Sequence, residues 1–458
     1  MGPTMKIESI TNLAAQLRGP ILQPGDQDYE TARAVYNAMH DRHPAIIIRA
    51  KDVADVVAAV NFSRDQGLVL AVRGGSHSVP GFGTCDGGIV LDLGSMNSVH
   101  VNAAENTVRA EGGCTLGDLD HATHAFGLAV PGGTVSTTGL AGLTLGGGMG
   151  HLSRSCALSC DNLISADIVT AAGEIVSCDA ASHPDLFWAI RGGGGNFGVV
   201  TSFKFKAFPV DTVFGGPTFF HVDAAVMRNY ETLISEAPEQ FNALFAIVQA
   251  PPAPFIPEKW HFHPAMVILT CWSGASTEEQ NILNSVSECG EVIGQALWRM
   301  PYPEVNTFFD ELLPHGLRHY WKANASMGFT DGAIAAHLEH GPRVPNVESG
   351  LFVFPTNGAC HRVEADETAF ANRHTKMSAV IAGTWHKPEE DEANTAWVKD
   401  YFEALKPHSE IGGYVNFMSG DDQDLVDANY GPKFERLKKI KGIYDPDNLF
   451  SMNQNIAP

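Results

Sequence analysis

Three dense glycine blocks in the first 200 residues restrict what this chain can fold into more than any other feature. They are Arg73-Gly74-Gly75-Ser76-His77-Ser78, the stretch from Pro131 to Gly150, and Gly192 to Gly198. Glycine adopts positive φ at little cost and lets backbone approach a ligand with no Cβ in the way. Clustered glycines also offer several amide N–H groups together, an anion-binding nest. Three blocks in one half of the chain therefore point to an extended, phosphate-bearing ligand.

Context narrows the choice. Gly193-x-Gly195-x-x-Gly198 has the spacing of a dinucleotide fingerprint, which must follow a strand and open a helix. Here it follows a helix-like stretch, Pro184 to Arg191, and leads into a strand, Val199 to Phe205. The order is inverted, which argues against a Rossmann site, and no GxxxxGK[ST] loop is present. The first block ends a predicted strand, Leu68 to Val72. That strand follows a helix capped by Asp52, carrying Val53, Val56, Val57 and Val60 on one face and stopped by Gly67. His77 thus sits at the end of a buried strand within a nest suited to pyrophosphate. An imidazole there can serve as nucleophile, base or covalent tether, and the residues alone leave these open.

Beyond about Phe208 the character changes. Residues 209–405 hold aromatic-rich strand-like runs (Gly215 to Phe220, Met266 to Trp272, Leu351 to Phe354) with amphipathic helices between them. The run Glu389-Glu390-Asp391-Glu392 reads as a solvated helix start. After Pro407 short dense motifs return, including Tyr414-Val415-Asn416 and Asn453-Gln454-Asn455.

At 458 residues the chain is long enough for two domains, and 44% hydrophobic residues supply large cores. A net charge of −22 disfavours nucleic acid or an anionic membrane as partner. The N-terminus lacks a secretory pattern, Lys6 breaks the myristoylation pattern, and no run approaches the roughly 18 apolar residues of a membrane span. A soluble, cytoplasmic protein is expected. Eight cysteines without a CxxC read as free thiols. His261 and His263 alternate along a predicted strand, and His315 and His319 stand at i,i+4. Neither pair has the further ligand a metal site needs, so no metal is expected.

In order along the chain, Arg73 to Ser78, Gly139-Leu140-Ala141-Gly142-Leu143-Thr144-Leu145-Gly146-Gly147-Gly148, Asp161-Asn162-Leu163, Asn196-Phe197-Gly198-Val199-Val200, Tyr414-Val415-Asn416 and Asn453-Gln454-Asn455-Ile456 form a recognisable series. With them the chain resembles the berberine bridge enzyme-like FAD-linked oxidases of the vanillyl-alcohol oxidase (PCMH-type) superfamily. The resemblance implies a bilobal α+β fold. Residues 1–205 and a C-terminal return, 406–458, would form the FAD-binding domain, and 206–405 a substrate domain built on an antiparallel sheet flanked by helices.

It further implies FAD joined through its 8α-methyl group to His77. The cofactor would rest on the first loop with Gly81, then on Pro131, Gly133, Val135, Thr138, Gly139, Gly142, Gly146, Gly147, Gly148, Gly150 and His151. Asn162, Gly198, Val200, Asn416, Asn453 and Asn455 would complete its binding site. Many relatives add a cysteinyl bond to flavin C6; that position is Val135 here, so a single link is expected. Tyr414 matches the family's catalytic tyrosine near flavin N5. A tyrosine of pKa near 10 is a poor base at pH 7, and Lys322, on a strand-like run, is the candidate cation to assist it.

Some departures matter. Met149 and Leu143 replace a tyrosine and a histidine found in some relatives. Thr138 stands where an oxygen-gating valine or leucine is usual. The expected activity is removal of hydride from an alcohol or amine carbon of a small, possibly aromatic, metabolite. O2 is the expected acceptor; the alternatives are a dehydrogenase serving a quinone or carrier protein, and a flavin-carrying protein without turnover.

Overall fold

The computed structural model describes residues 7–458, so the readings on the segment through Lys6 lie outside the described residues. The helix Val53–Gln66 is capped as its sequence directs. The Asp52 carboxylate accepts from the amides of Ala54 and Asp55, and Gly67 ends the helix in a left-handed conformation at φ 63°. The chain then enters Leu70–Arg73, the edge of a four-stranded sheet whose other members are Ile89–Asp92, Ile46–Arg49 and Ile21–Leu22. Leu70–Arg73 and Ile46–Arg49 both run parallel to Ile89–Asp92. Their nearly continuous apolar sequence suits strands covered on both faces.

A second sheet is antiparallel and five-stranded, in the order Val99–Asn102, Thr107–Glu111, Val199–Lys206, Leu163–Val169, Ile175–Asp179. Its core takes in the C-terminal stretch: Met418, Val426, Leu437, Ile440 and Ile456 pack with Val108, Phe203 and Phe205. A fully buried Lys441–Asp445 pair at 2.6 Å anchors this return, and Lys441 also donates to the carbonyls of Asn196 and Phe450.

The remaining strands, all between Thr212 and Trp385, form an eight-stranded antiparallel sheet. Side chains alternate across it with period two. Phe245, Ile247, Leu351, Val353, Ala379 and Ile381 pack under the helices Ala224–Glu236, Asp331–His340 and Asp391–Leu405. Their neighbours Leu244, Phe352, Phe354, Val380 and Ala382 face the opposite way, toward the glycine loops. One sheet thus supplies both a helix-covered core and the roof of a cavity.

One sequence expectation fails here, and one spacing has no helix behind it. His261 and His263 are not on a strand. They follow a single 3-10 turn, Glu258–Trp260, Phe262 between them has φ 63°, and the strand starts only at Pro264. His315 and His319 share no helix: His319 lies on the strand Arg318–Ser326, and His315 in the loop before it.

Candidate functional site

The first and second glycine blocks meet backbone to backbone. A Cβ added to Gly75 would lie 2.4 Å from the Gly139 nitrogen, and one on Gly139 would lie 2.3 Å from the Gly75 nitrogen. No other residue permits that approach. Ser76 turns the loop with φ 64°, a left-handed conformation uncommon outside glycine and tolerated where surroundings enforce it. The amides of Gly74 to Ser78 donate to no other group among the described residues. Buried amides are otherwise almost always paired, so this run is a ready anion nest.

The nest lines one long cavity of about 350 Å³, in the range of small-molecule sites. Arg73, Gly74, Gly75, Ser76, His77, Ser78, Gly133, Val135, Thr138, Gly139, Gly142, Gly198, Val200, Asn416 and Asn453 all line it, as does Tyr414. The Arg73 guanidinium points away, however. It donates to the carbonyls of Ala32 and Ala34 and pairs with Asp92 at 3.4 Å. Only its backbone and stem serve the cavity.

His77 is caged. Its ring stacks on Tyr36 at 4.0 Å and 19°, and Tyr36 stacks on its other side against His319 at 4.4 Å. His315 meets His77 edge-on at 5.4 Å. Burial, with smaller contributions from the two neighbouring histidines, pushes His77 down to about 3, so the ring is neutral at pH 7. Its Nε2 lies 2.8 Å from the Thr137 hydroxyl.

Tyr414 lies across the cavity. Its hydroxyl oxygen accepts the Gly148 amide and the Asn416 side-chain amide, both at 2.8 Å. Burial nevertheless raises its pKa well above 10, outweighing the two donors, which act to lower it. Glycine is required beneath it. A Cβ on Gly146 would fall 2.2 Å from Asn416 Oδ1, and one on Gly147 2.8 Å from the Phe370 ring and 3.0 Å from that of Tyr414. Gly146, Gly147 and Gly148 do not line the cavity; they seat the Tyr-x-Asn motif.

Other expected cofactor contacts are not among the residues that line the cavity. Gly150 packs against the Gly132 and Gly133 carbonyls, Gly81 against the His40 ring, and the Pro131 carbonyl accepts the Ser159 hydroxyl. The Asn162 side chain donates to the carbonyls of Cys156 and Leu158. The backbone of Asn455 is tied to Gln423. His151 is sealed beside Val305, both ring nitrogens without a side-chain hydrogen bond, and burial lowers it to about 4. Lys322 is a correction as well. Strand alternation sends Trp321 into the cavity and Lys322 out the other side, where it pairs with Asp421 at 2.9 Å and with Asp422. It cannot assist Tyr414.

The roof has no motif and escaped the sequence: Leu244, Phe309, Trp321, Phe352, Phe354, Val380, Ala382 and Phe417. Among these, the Trp321 indole N–H is buried without a partner. Glu348 is the one carboxylate among the described lining residues, and it faces His386 at 3.2 Å. No cysteine lines the cavity, and all eight are buried and unpaired. Among the described residues no group of three or more His, Cys, Asp or Glu could hold a metal, and no helix is long and apolar enough to cross a membrane.

The residues fit FAD. A Cβ on Gly142 or Gly195 would meet nothing within 4 Å, so both leave open room along the wall. The partnerless loop amides suit phosphate oxygens. Asn453 Oδ1 and Gln454 Oε1, buried acceptors without donors, suit hydroxyl or ring N–H groups.

Comparison with known proteins agrees with this geometry. A family model described as an FAD binding domain matches residues 44–179, and one described as berberine and berberine like matches 413–457. An FAD-linked oxidoreductase from Dictyostelium discoideum is 32% identical across 98% of this chain and 97% of its own. The crystal structure of 6-hydroxy-D-nicotine oxidase from Arthrobacter nicotinovorans is 25% identical, superimposes with a TM-score of 0.86, and covers 96% of this chain and 98% of that one. A xylooligosaccharide oxidase from Myceliophthora thermophila, 20% identical with a TM-score of 0.86 over 98% of both chains, shares the fold.

Proposed function

We propose, for a chain that belongs to the berberine bridge enzyme-like FAD-linked oxidoreductases, that it is an oxidase removing hydride from the carbon beside nitrogen, or beside a hydroxyl, in a small organic molecule. FAD is held through His77 alone, and O2 is the acceptor. Bound FAD supplies the hydride-accepting centre; the rest falls to the protein's own side chains. The loop amides hold phosphate, and Tyr414 orients the substrate's nitrogen or oxygen from a fixed hydroxyl. The apolar roof excludes water. Val135 at the position of the cysteinyl link, with no cysteine on the cavity wall, supports a single tether.

One observation carries the preference for nitrogen. Among the described lining residues, burial keeps Tyr36, Tyr414 and Tyr430 protonated and pushes His77 down to about 3, while Glu348 is turned to His386 at 3.2 Å, so no free base faces the substrate. An alcohol must lose its O–H proton as hydride departs, which calls for a base. A neutral amine needs none, because its lone pair takes up the developing charge, and an apolar wall favours the neutral form of a bound amine. Similarity to an oxidase named for a hydroxynicotine, an amine, supports the same reading.

The test is anaerobic mixing of the yellow holoenzyme with paired aryl-alkyl amines and alcohols of matched shape, followed by readmission of air. Amines should bleach the flavin, with rates that rise with pH along each amine's own titration, and air should restore the colour. Bleaching by alcohols alone would overturn the preference. Slow recovery in air with fast recovery on a quinone would make the enzyme a dehydrogenase.

A further inference from the structure

We infer that Thr137 is the positioning residue for tether formation: its hydroxyl accepts the Nε2 hydrogen of His77 and thereby presents Nδ1, with its lone pair, to the cavity. The inference rests on the His77 tether proposed above and adds a residue that is not among the expected cofactor contacts. A neutral imidazole carries one N–H and one lone pair, and only the nitrogen with the lone pair can form a bond to carbon. His77 Nε2 stands 2.8 Å from Thr137 Oγ1, and Nδ1 has no partner among the described residues. The ring cannot turn to exchange the two, because Tyr36 lies flat against it at 4.0 Å and His315 abuts its edge. Tyr36, His315 and His319 are the titratable neighbours, and none hydrogen-bonds to His77.

The glycine contact described above acquires a purpose here. Thr137 belongs to the second block and His77 to the first. They come within hydrogen-bonding distance only because Gly75 and Gly139 let the two backbones touch. Ser76, held left-handed, then delivers the imidazole toward Thr137.

The chemistry balances with the acceptor already proposed. The Nδ1 lone pair forms the bond to the flavin 8α carbon, and the methyl group gives up one proton. The imidazole sheds its Nε2 proton along the hydrogen bond to Thr137 and on to water. The two electrons left on the ring pass to O2, which leaves as H2O2 with two protons.

Thr137→Val removes the hydroxyl at nearly constant volume, and Thr137→Ser restores it. Each protein is purified with its flavin. Total FAD is read from the native spectrum, and covalent FAD from in-gel fluorescence and from colour remaining after acid precipitation. Thr137→Val should bind FAD fully yet acquire the covalent link at least about tenfold more slowly in a time course, while Thr137→Ser should approach wild type. Full tethering at wild-type rate in Thr137→Val, or loss of total FAD with folding intact, would overturn the inference. Wild-type protein that releases all its FAD in acid would instead overturn the tether reading, and His77→Ala supplies the untethered reference for that case.

Discussion

At the scale of single residues, Tyr414 and Lys322 carry opposite expectations. Tyr414→Phe deletes a hydroxyl that is held by Gly148 and Asn416 and not needed to hold the flavin. Flavin reduction should slow by about 10- to 100-fold with FAD content unchanged, a moderate loss fitting an orienting group more than a general base; rapid-mixing absorbance reads both. Lys322→Met should leave the reduction rate within about twofold while costing on the order of 3 kcal/mol, because Asp422 becomes a buried, unpaired charge. Denaturant unfolding beside the kinetic assay separates the two effects. Sequence could name both residues but not phase them. Tyr414 sits in a short motif whose neighbours fix it, whereas Lys322 lies on a strand, where a one-residue step moves a side chain to the other face. Thr137 carries no signal in the sequence because its partner lies 60 positions away. His315 and His319 have the spacing of metal ligands, yet they pack around Tyr36 and His77.

At the scale of elements, local signals were legible where backbone chemistry sets them. Asp52 and Gly67 bound their helix as their side chains dictate, and the inverted strand order around Gly193 to Gly198 is seen between Pro184–Ala189 and Val199–Lys206. The roof strands were legible as strands but not as a roof, since Leu351 and Phe352 are equally apolar and only the packed sheet decides which faces the cavity. One helix contact carries a pH dependence that no pattern announced. Asp120, on the helix Leu116–His124, is buried with a single side-chain hydrogen bond, from Asn306 at 2.7 Å, and burial raises it to about 7. A carboxyl raised in the folded state favours folding while it stays protonated. That contribution is complete below its unfolded pKa near 4 and is lost as pH rises through about 7. Asp120→Asn keeps an acceptor for Asn306 and removes the titration. It should match wild type at pH 4 and gain progressively to pH 8, by on the order of 2 kcal/mol. Parallel thermal melts at the two pH values check this, and a constant difference between them would mean Asp120 does not titrate in the fold.

At the scale of the whole molecule, the glycine-bearing sheets and the eight-stranded sheet must stay in fixed relation, since the floor of the cavity comes from one and the roof from the other. Buried polar links make that connection. The Arg154 guanidinium, 2% exposed, donates to the carbonyls of Ala237, Pro238 and Phe241 and to the Asn357 side chain, all in the roof-bearing segment. Asn242 returns two bonds to the carbonyls of Gly150 and His151, and Arg373 pairs with Asp161, both nearly fully buried. Such groups are costly to leave unmatched, so they favour one docked arrangement over a hinge. Arg154→Met preserves much of the side-chain volume but strands those carbonyls, for a loss of about 3 to 5 kcal/mol. Since the break falls between the two halves and spares each core, cooperativity should suffer along with stability. In wild type, the rise in fluorescence of the tethered flavin as its pocket opens and the loss of far-UV dichroism should coincide on heating. In Arg154→Met the flavin fluorescence should rise first, by several degrees, as the roof parts from the floor before either melts. If the two signals still coincide at a lower temperature, Arg154 stabilises one half only, and the coupling resides in the Arg373–Asp161 pair and the Asn242 bonds.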